Sequence, residues 1–385
     1  MKNYSTTAVF IAACAGMVYF GIAMLSLGVI LGPLNAEVAG ANSLPATLSI
    51  GIIVGTILFG PVVDRFGYKW LLIFSSFLTL AGLQGLSAFH DIGLLHASIF
   101  CLGLGGGILN GETNALVSDI YDDRKRAGRL GILGAFYCIG ALLWTLCNFL
   151  AKDYRLPLQG FSVIMAGFII YFFIISFPEA KEDKGQKVPI RKSLGLLKYP
   201  ALLLFGIILF FQSGFEGASG SFTVSYLTST GDMDNNAATL AMTWFTIGML
   251  AGRLPLGKIL SKIKELRTLY LYLAVGLAGV LGFVFLGKTP VAAYISMTLV
   301  GFGVGATFPV VLNFIGGTFK EQSGTAFSIA LFIALLGQSL FNKLTGAAFD
   351  AGNYVFLPIA LVAALLMIMI LVPITLKVSA RKNSK

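Results

Sequence analysis

The feature that most limits what this chain can become is a succession of about twelve apolar runs, each close to the roughly 20 residues a helix needs to cross a bilayer. They fall near 7–33, 44–63, 69–89, 94–120, 128–151, 157–177, 200–228, 237–257, 267–287, 290–316, 321–342 and 353–376. Composition agrees: 11% of residues are charged and 57% hydrophobic, with a mean hydropathy of +0.86. Too little polar surface remains to solvate a globule of this size, so lipid is the expected solvent. The first run lacks a small-residue cleavage site and reads as a retained span, not a secretory signal. The expectation is an all-α membrane protein. Cys14, Cys101, Cys138 and Cys147 sit inside apolar runs without metal-ligand spacing, so they read as packing residues, with no metal and no cofactor implied.

The net charge of +10 could point to an anionic partner, but its distribution gives it another meaning. Of 27 Lys and Arg, only Lys152, Arg155, Lys288 and Lys343 fall on one side of the predicted topology. The rest, from Lys2 through Arg65, Lys69, Arg124–Arg129, the central loop and Arg253–Arg267 to Lys385, fall on the other. That asymmetry places both termini in the cytoplasm of an inner or plasma membrane, and nucleic acid has no place in the account. His90 and His96 flank a turn on the opposite, external side and are expected to meet solvent or headgroups.

The one long hydrophilic stretch lies midway along the chain, dividing it into an N-terminal six-helix bundle (1–177), a cytoplasmic loop (178–198) and a C-terminal six-helix bundle (199–385). The halves repeat at an offset of roughly 197 residues. Gly103, Gly105 and Gly107 match Gly301, Gly303 and Gly305, while Gly128 and Gly140 match Gly324 and Gly337. The loop GPVVDRFGYK at 60–69 has a degraded counterpart, GKILSKIKEL, at 257–266.

That first loop, with Gly60, Asp64, Arg65, Gly67 and Lys69, resembles the loop between spans two and three of the major facilitator superfamily. Its glycines allow a tight turn and close helix approach. Asp64 can face a helix N-terminus, and Arg65 and Lys69 can pair with carboxylates. The resemblance implies the major facilitator fold, about twelve transmembrane helices in two pseudo-symmetric six-helix bundles, with this loop as a gate. Two further stretches, GLGGGILNGETNALV at 103–117 and GFEGASGSFTVSYL at 214–227, resemble the fucose/glucose–galactose permease branch. Three departures stand out: Phe222 replaces a frequent Trp, the first span holds no acid, and an amide stands at 110. Sugar–proton symporters of that branch also place a carboxylate at the position of Asn110.

An ionisable side chain at membrane depth faces a cavity or a partner. Glu216 and Glu112 are the clear cases, and both are candidates for ion coupling. Glu112 lies about 200° around the helix from Asn110, so the two face different surroundings; a basic residue at a helix end is the alternative partner for Glu112. Asn110 and Asn114 share a face with Gly103 and Gly107, either as ligand contacts or as interhelical glue. With Gln212, Glu216, Tyr226, Asn313 and Gln338 they form the candidate substrate-binding set, because amides offer the donors and acceptors a polyhydroxylated ligand needs. Asn342 is a weaker member; Tyr19, Tyr137, Trp144, Phe222 and Trp244 could stack on a sugar ring or simply pack.

These residues imply a secondary active transporter, not an enzyme, moving a sugar or similar small polar metabolite by alternating access, with a proton or sodium ion as partner. A monomer in the bilayer suffices. The alternative on the same fold is an exporter of amphipathic compounds. No GxxxxGK[ST] loop is present, which argues against an ATP-driven pump.

Overall fold

The computed structural model describes residues 4–151, 153–179, 195–230, 233–287 and 289–382. Lys2, Lys152, Lys288, Lys385 and the basic residues of the central loop from Lys181 to Lys192 lie outside the described residues, as do the side chains of Arg381 and Lys382. Among the described residues there are fourteen α-helices and no strand. In the first half they are α1 (Thr6–Glu37), α2 (Leu44–Phe66), α3 (Tyr68–Ala88), α4 (Ile92–Ile120), α5 (Asp123–Leu150) and α6 (Arg155–Ile174). In the second half α7 (Pro200–Thr230), α8 (Asn235–Arg253), the short α9 (Leu256–Leu260) and α10 (Glu265–Leu286) come first. They are followed by α11 (Pro290–Val304), α12 (Thr307–Thr318), α13 (Ser323–Asp350) and α14 (Phe356–Lys382).

Eleven helical stretches are long and apolar enough to cross a membrane. The expected span at 237–257 is the exception: α8 opens on Asn235 and Asn236, carries three threonines and ends on Arg253, so its 19 residues are a more polar helix. The expected span at 290–316 is interrupted between α11 and α12. Pro309 has no N–H to offer the Gly305 carbonyl and its ring crowds that oxygen, so the helix breaks there, and the Gly305 N–H ends α11 by donating to the Phe302 carbonyl at 3.0 Å.

The chain forms two compact units. Unit 1 comprises Met1–Ile120, Phe136–Leu194 and Phe319–Ser328; unit 2 comprises Tyr121–Ala135, Gly195–Thr318 and Ile329–Lys385. Helix α5 thus begins in unit 2 and continues in unit 1, and α13 does the converse.

Inside each unit the glycines set the helix spacing, and they do so twice over. In unit 1, Gly51 and Gly55 of α2 abut the Phe100 and Leu104 carbonyls of α4, and Gly103 abuts the Leu48 carbonyl in return. In unit 2, Gly248 and Gly252 of α8 abut the Thr298 and Phe302 carbonyls of α11, and Gly301 abuts that of Phe245. The same correspondence joins α3–α4, where Gly105 meets the Ser75 carbonyl, to α10–α11, where Gly303 meets that of Tyr272. A Cβ at these positions would overlap backbone, which is why small residues recur at the sequence offset of the repeat. Cys14 and Cys138 are buried, and Cys101 and Cys147 are half-buried.

Candidate functional site

Unit 2 holds the more chemically loaded cluster. Midway along α7, Glu216 Oε1 accepts a 2.7 Å hydrogen bond from Gln212 Nε2, one turn back on the same face. Gln212 Nε2 also reaches the Val304 carbonyl at 3.2 Å. Arg253, from the last turn of α8, brings Nη2 to 3.7 Å from Glu216 Oε1 while Nη1 donates to the Gly134 carbonyl at 2.8 Å. The Arg253 side chain is 5% exposed and that of Glu216 is 24% exposed, so the pair is largely withdrawn from solvent. By its position at a helix end Arg253 reads as an orientation signal. Its burial against an acid on the preceding span is visible only once α7 and α8 are packed.

Other members of the candidate set in unit 2 are dispersed. Asn313 of α12 is buried and its Oδ1 has no hydrogen-bond partner among the described residues; the same holds for Gln212 Oε1. Gln338 and Asn342 of α13 lie against Gly217, next to Glu216 in sequence. Tyr226 packs its ring on Phe283 at 4.8 Å.

In unit 1, α4 carries Asn110 and Asn114, both buried. Asn114 Nδ2 donates to the Asn110 carbonyl at 2.7 Å and to Asn110 Oδ1 at 3.2 Å, so the two amides are tied together. Gly107, on their face, packs on the Ile52 carbonyl of α2, which makes this stretch a packing surface as well. Glu112 points elsewhere, as its angle on the helix requires: Ser75 Oγ of α3 donates to its Oε1 at 2.7 Å, and Oε2 has no partner among the described residues. The described contact is thus a hydroxyl, in place of a basic helix-end residue. Most candidate stacking rings pack internally. Trp144 is fully buried beside Phe161, Tyr19 donates to the Phe161 carbonyl at 2.6 Å, and Phe222 meets Phe349 edge-on.

The loop at 60–69 joins α2 to α3. Gly67 adopts φ 77° as it ends α2, a conformation glycine takes at little cost. Asp64 caps the start of α13 within unit 1, accepting from Thr325 N at 2.8 Å, Thr325 Oγ1 at 2.6 Å and Gly324 N at 3.1 Å. The carboxylate meets the positive end of that helix, as its sequence context suggests. Gly60 sits against the Gly324 carbonyl, close enough that a Cβ would be 2.6 Å from it. Lys69 departs from the expected carboxylate pairing: Nζ donates to the Phe173 and Ile175 carbonyls at 2.8 and 3.1 Å, closing the end of α6. The Arg65 guanidinium stands 5.0 Å over the Phe66 ring. A second carboxylate reinforces this end of unit 1: Asp119 accepts from Tyr68 Oη at 2.5 Å and Ser323 Oγ at 2.9 Å. In unit 2 the equivalent close approach is Gly257 on Gly128. There Asp122 caps α5 locally through Lys125 N at 3.1 Å, so no acid is needed from the loop at 257–266.

The two histidines are more engaged than their position suggests. His96 Nδ1 lies 2.7 Å from Thr47 Oγ1 and Nε2 lies 3.0 Å from Ser43 Oγ. His90 Nε2 lies 3.0 Å from Arg155 Nη2, and because a guanidinium only donates, the imidazole nitrogen accepts. Arg155 also pairs with Glu37, which accepts from Tyr154 Oη at 3.1 Å. Burial first, then that hydrogen bond, push the Tyr154 phenol up to about 12.

The Major Facilitator Superfamily sequence profile matches residues 8–342, and the chain belongs to that family. It is a multi-pass membrane transporter, not an enzyme. It is 23% identical over 368 residues to a protein TsgA homolog of Edwardsiella ictaluri, covering 90% of this chain and 91% of the relative. It is 24% identical over 338 residues to protein TsgA of Escherichia coli O1:K1 / APEC, covering 85% and 84%. Among solved structures, the major facilitator transporter FucP in the outward conformation superposes with a TM-score of 0.80 at 17% identity, covering 95% of this chain and 98% of FucP. The proton:xylose symporter XylE gives 0.76 at 15% identity, covering 96% and 95%. At these identities the likeness is one of fold.

Proposed function

We infer that this transporter moves a sugar or similar small polyhydroxylated metabolite by alternating access, and that its coupling ion is a proton taken up by Glu216. The observation that carries the reading is the Gln212–Glu216–Arg253 cluster in unit 2. Both neighbours of the carboxylate are donors. A sodium ion needs several oxygen ligands, and the groups converging here are an amide N–H and a guanidinium. A carboxylate facing a competing cation, by contrast, suits gain and loss of a single proton. For ligand hydroxyls, unit 2 offers Gln338, the partnerless carbonyl oxygens of Gln212 and Asn313 and the Tyr226 ring, and unit 1 offers Asn110 and Asn114. FucP and XylE, described as fucose:proton and proton:xylose symporters, share the fold, which supports the substrate class. Glu112, held on α3, is assigned a secondary part in coupling. The gate is the 60–69 loop, acting through the Asp64 cap on α13. Both termini are placed in the cytoplasm of an inner or plasma membrane, with the monomer as the working unit.

Proteoliposomes loaded with this protein are expected to accumulate radiolabelled L-fucose or D-xylose under an inward proton gradient. Glu216→Gln should abolish the gradient dependence of that accumulation. Undiminished gradient-driven accumulation by Glu216→Gln would remove Glu216 from the coupling role.

A further inference from the structure

One face of α7 changes character halfway along the helix. At alternating spacings of three and four residues, Leu202, Phe205 and Leu209 are buried and apolar. From there the same face continues as Gln212, Glu216, Ser219, Thr223, Tyr226 and Thr230, polar at every position to the end of the helix. Gln212, Ser219 and Thr223 are fully buried, whereas Thr230 is exposed. Hydroxyls in membrane helices ordinarily settle on the carbonyl four residues back, and many here do: Thr113 on Leu109 at 2.7 Å, Thr145 on Ala141 at 3.0 Å and Thr298 on Tyr294 at 2.7 Å. Ser219 Oγ and Thr223 Oγ1 do not; neither has a hydrogen-bond partner among the described residues. Other buried hydroxyls share that condition, Thr56 and Thr268 among them. Ser219 and Thr223 differ in standing in line with a carboxylate.

We propose that Ser219 and Thr223 are relay residues that carry protons along α7 from its Thr230 end to Glu216. This rests on the reading of Glu216 as the coupling carboxylate. Groups three or four residues apart on a helix are about 5–6 Å apart at Cβ, a gap that one water closes only when the packing around Ser219 and Thr223 loosens to admit it, since both are fully buried. Each hydroxyl accepts a proton on a lone pair and passes its own proton onward. A hydronium at the Thr230 end becomes water, and one proton arrives on a Glu216 oxygen. Over the 14 residues from Thr230 to Glu216 the path is about 21 Å long. Beyond Gln212 the apolar run from Leu209 to Leu202 offers no continuation along the helix, so the relay ends at Glu216. Arg253 is the charged group facing the terminus of the path, and its guanidinium holds Glu216 when the proton leaves.

The test is time-resolved infrared spectroscopy of the full-length protein in liposomes after a pH step. The carboxyl C=O band that Glu216→Gln removes reports the proton on Glu216. With Ser219→Ala and Thr223→Val combined, the band is expected to reach its full amplitude about tenfold more slowly, or worse. Exchanging the hydroxyls, Ser219→Thr with Thr223→Ser, should keep the wild-type rate. An unchanged rate in the hydroxyl-free pair overturns the relay, as does equal slowing in the hydroxyl-retaining pair, which would mark a packing effect. If Glu216→Gln removes no titrating band, the reading of Glu216 itself fails, and the relay with it.

Discussion

At the scale of single residues the decisive contact joins Glu216 to Arg253. Each would be costly alone at membrane depth; together they hold one another, with Gln212 and the Gly134 carbonyl satisfying further valences. Breaking such a pair leaves an uncompensated charge. Arg253→Met is therefore expected to destabilise the protein by about 3 kcal/mol, and Arg253→Met combined with Glu216→Gln to recover most of that loss. Thermal unfolding of the single and double variants in detergent measures it, and strictly additive losses would show that the two side chains do not interact. Arg253 was hidden in the sequence for a physical reason. A basic residue at the end of a span is the usual orientation signal, and only the packing of α8 against α7 turns it inward.

At the scale of helices the glycines govern. Gly301 has the Phe245 carbonyl where a Cβ would go, whereas Gly167 on α6 has open space around it. Gly301→Val is expected to abolish folding or lower the apparent melting temperature sharply, and Gly167→Val to be tolerated within about 0.5 kcal/mol. Size-exclusion profiles and melting curves of the two variants decide; equal behaviour would mean helix spacing in unit 2 does not depend on Gly301. The glycine spacing was legible in the sequence, but which helix each glycine meets was not. The amides on α4 show the same divide. Asn110 and Asn114 stand on one face by simple periodicity, yet that face is shared between a mutual hydrogen bond and the packing of Gly107 on α2. The capping of α13 by Asp64 and of α5 by Asp122 explains why the second copy of the loop carries Ser261 where the first carries Asp64.

At the scale of the whole molecule the basic residues predict the sidedness. With the proposed orientation, reporters active only in the cytoplasm should give full signal when fused after Lys385 and before Met1, and none when inserted at Gly231 between α7 and α8. A strong signal from the Gly231 insertion would reverse the proposed orientation and, with it, the side from which the α7 relay opens.

The solvent, the approximate number and position of the spans, the duplication and the family were legible in the sequence, although several helices run five to eight residues past the expected ends. Each of these depends on properties summed over many residues: apolar run length, charge asymmetry and a recurring register. The break at Pro309 and the more polar α8 altered two spans without disturbing that frame. Tertiary structure alone decided which polar groups meet. It set Arg253 on Glu216, turned Glu112 to Ser75, drew Lys69 to the end of α6 and left Ser219 and Thr223 without partners on the Glu216 face. A hydrogen bond depends on the position of two atoms to within a fraction of an ångström, and those positions are set by helices that lie far apart in the chain.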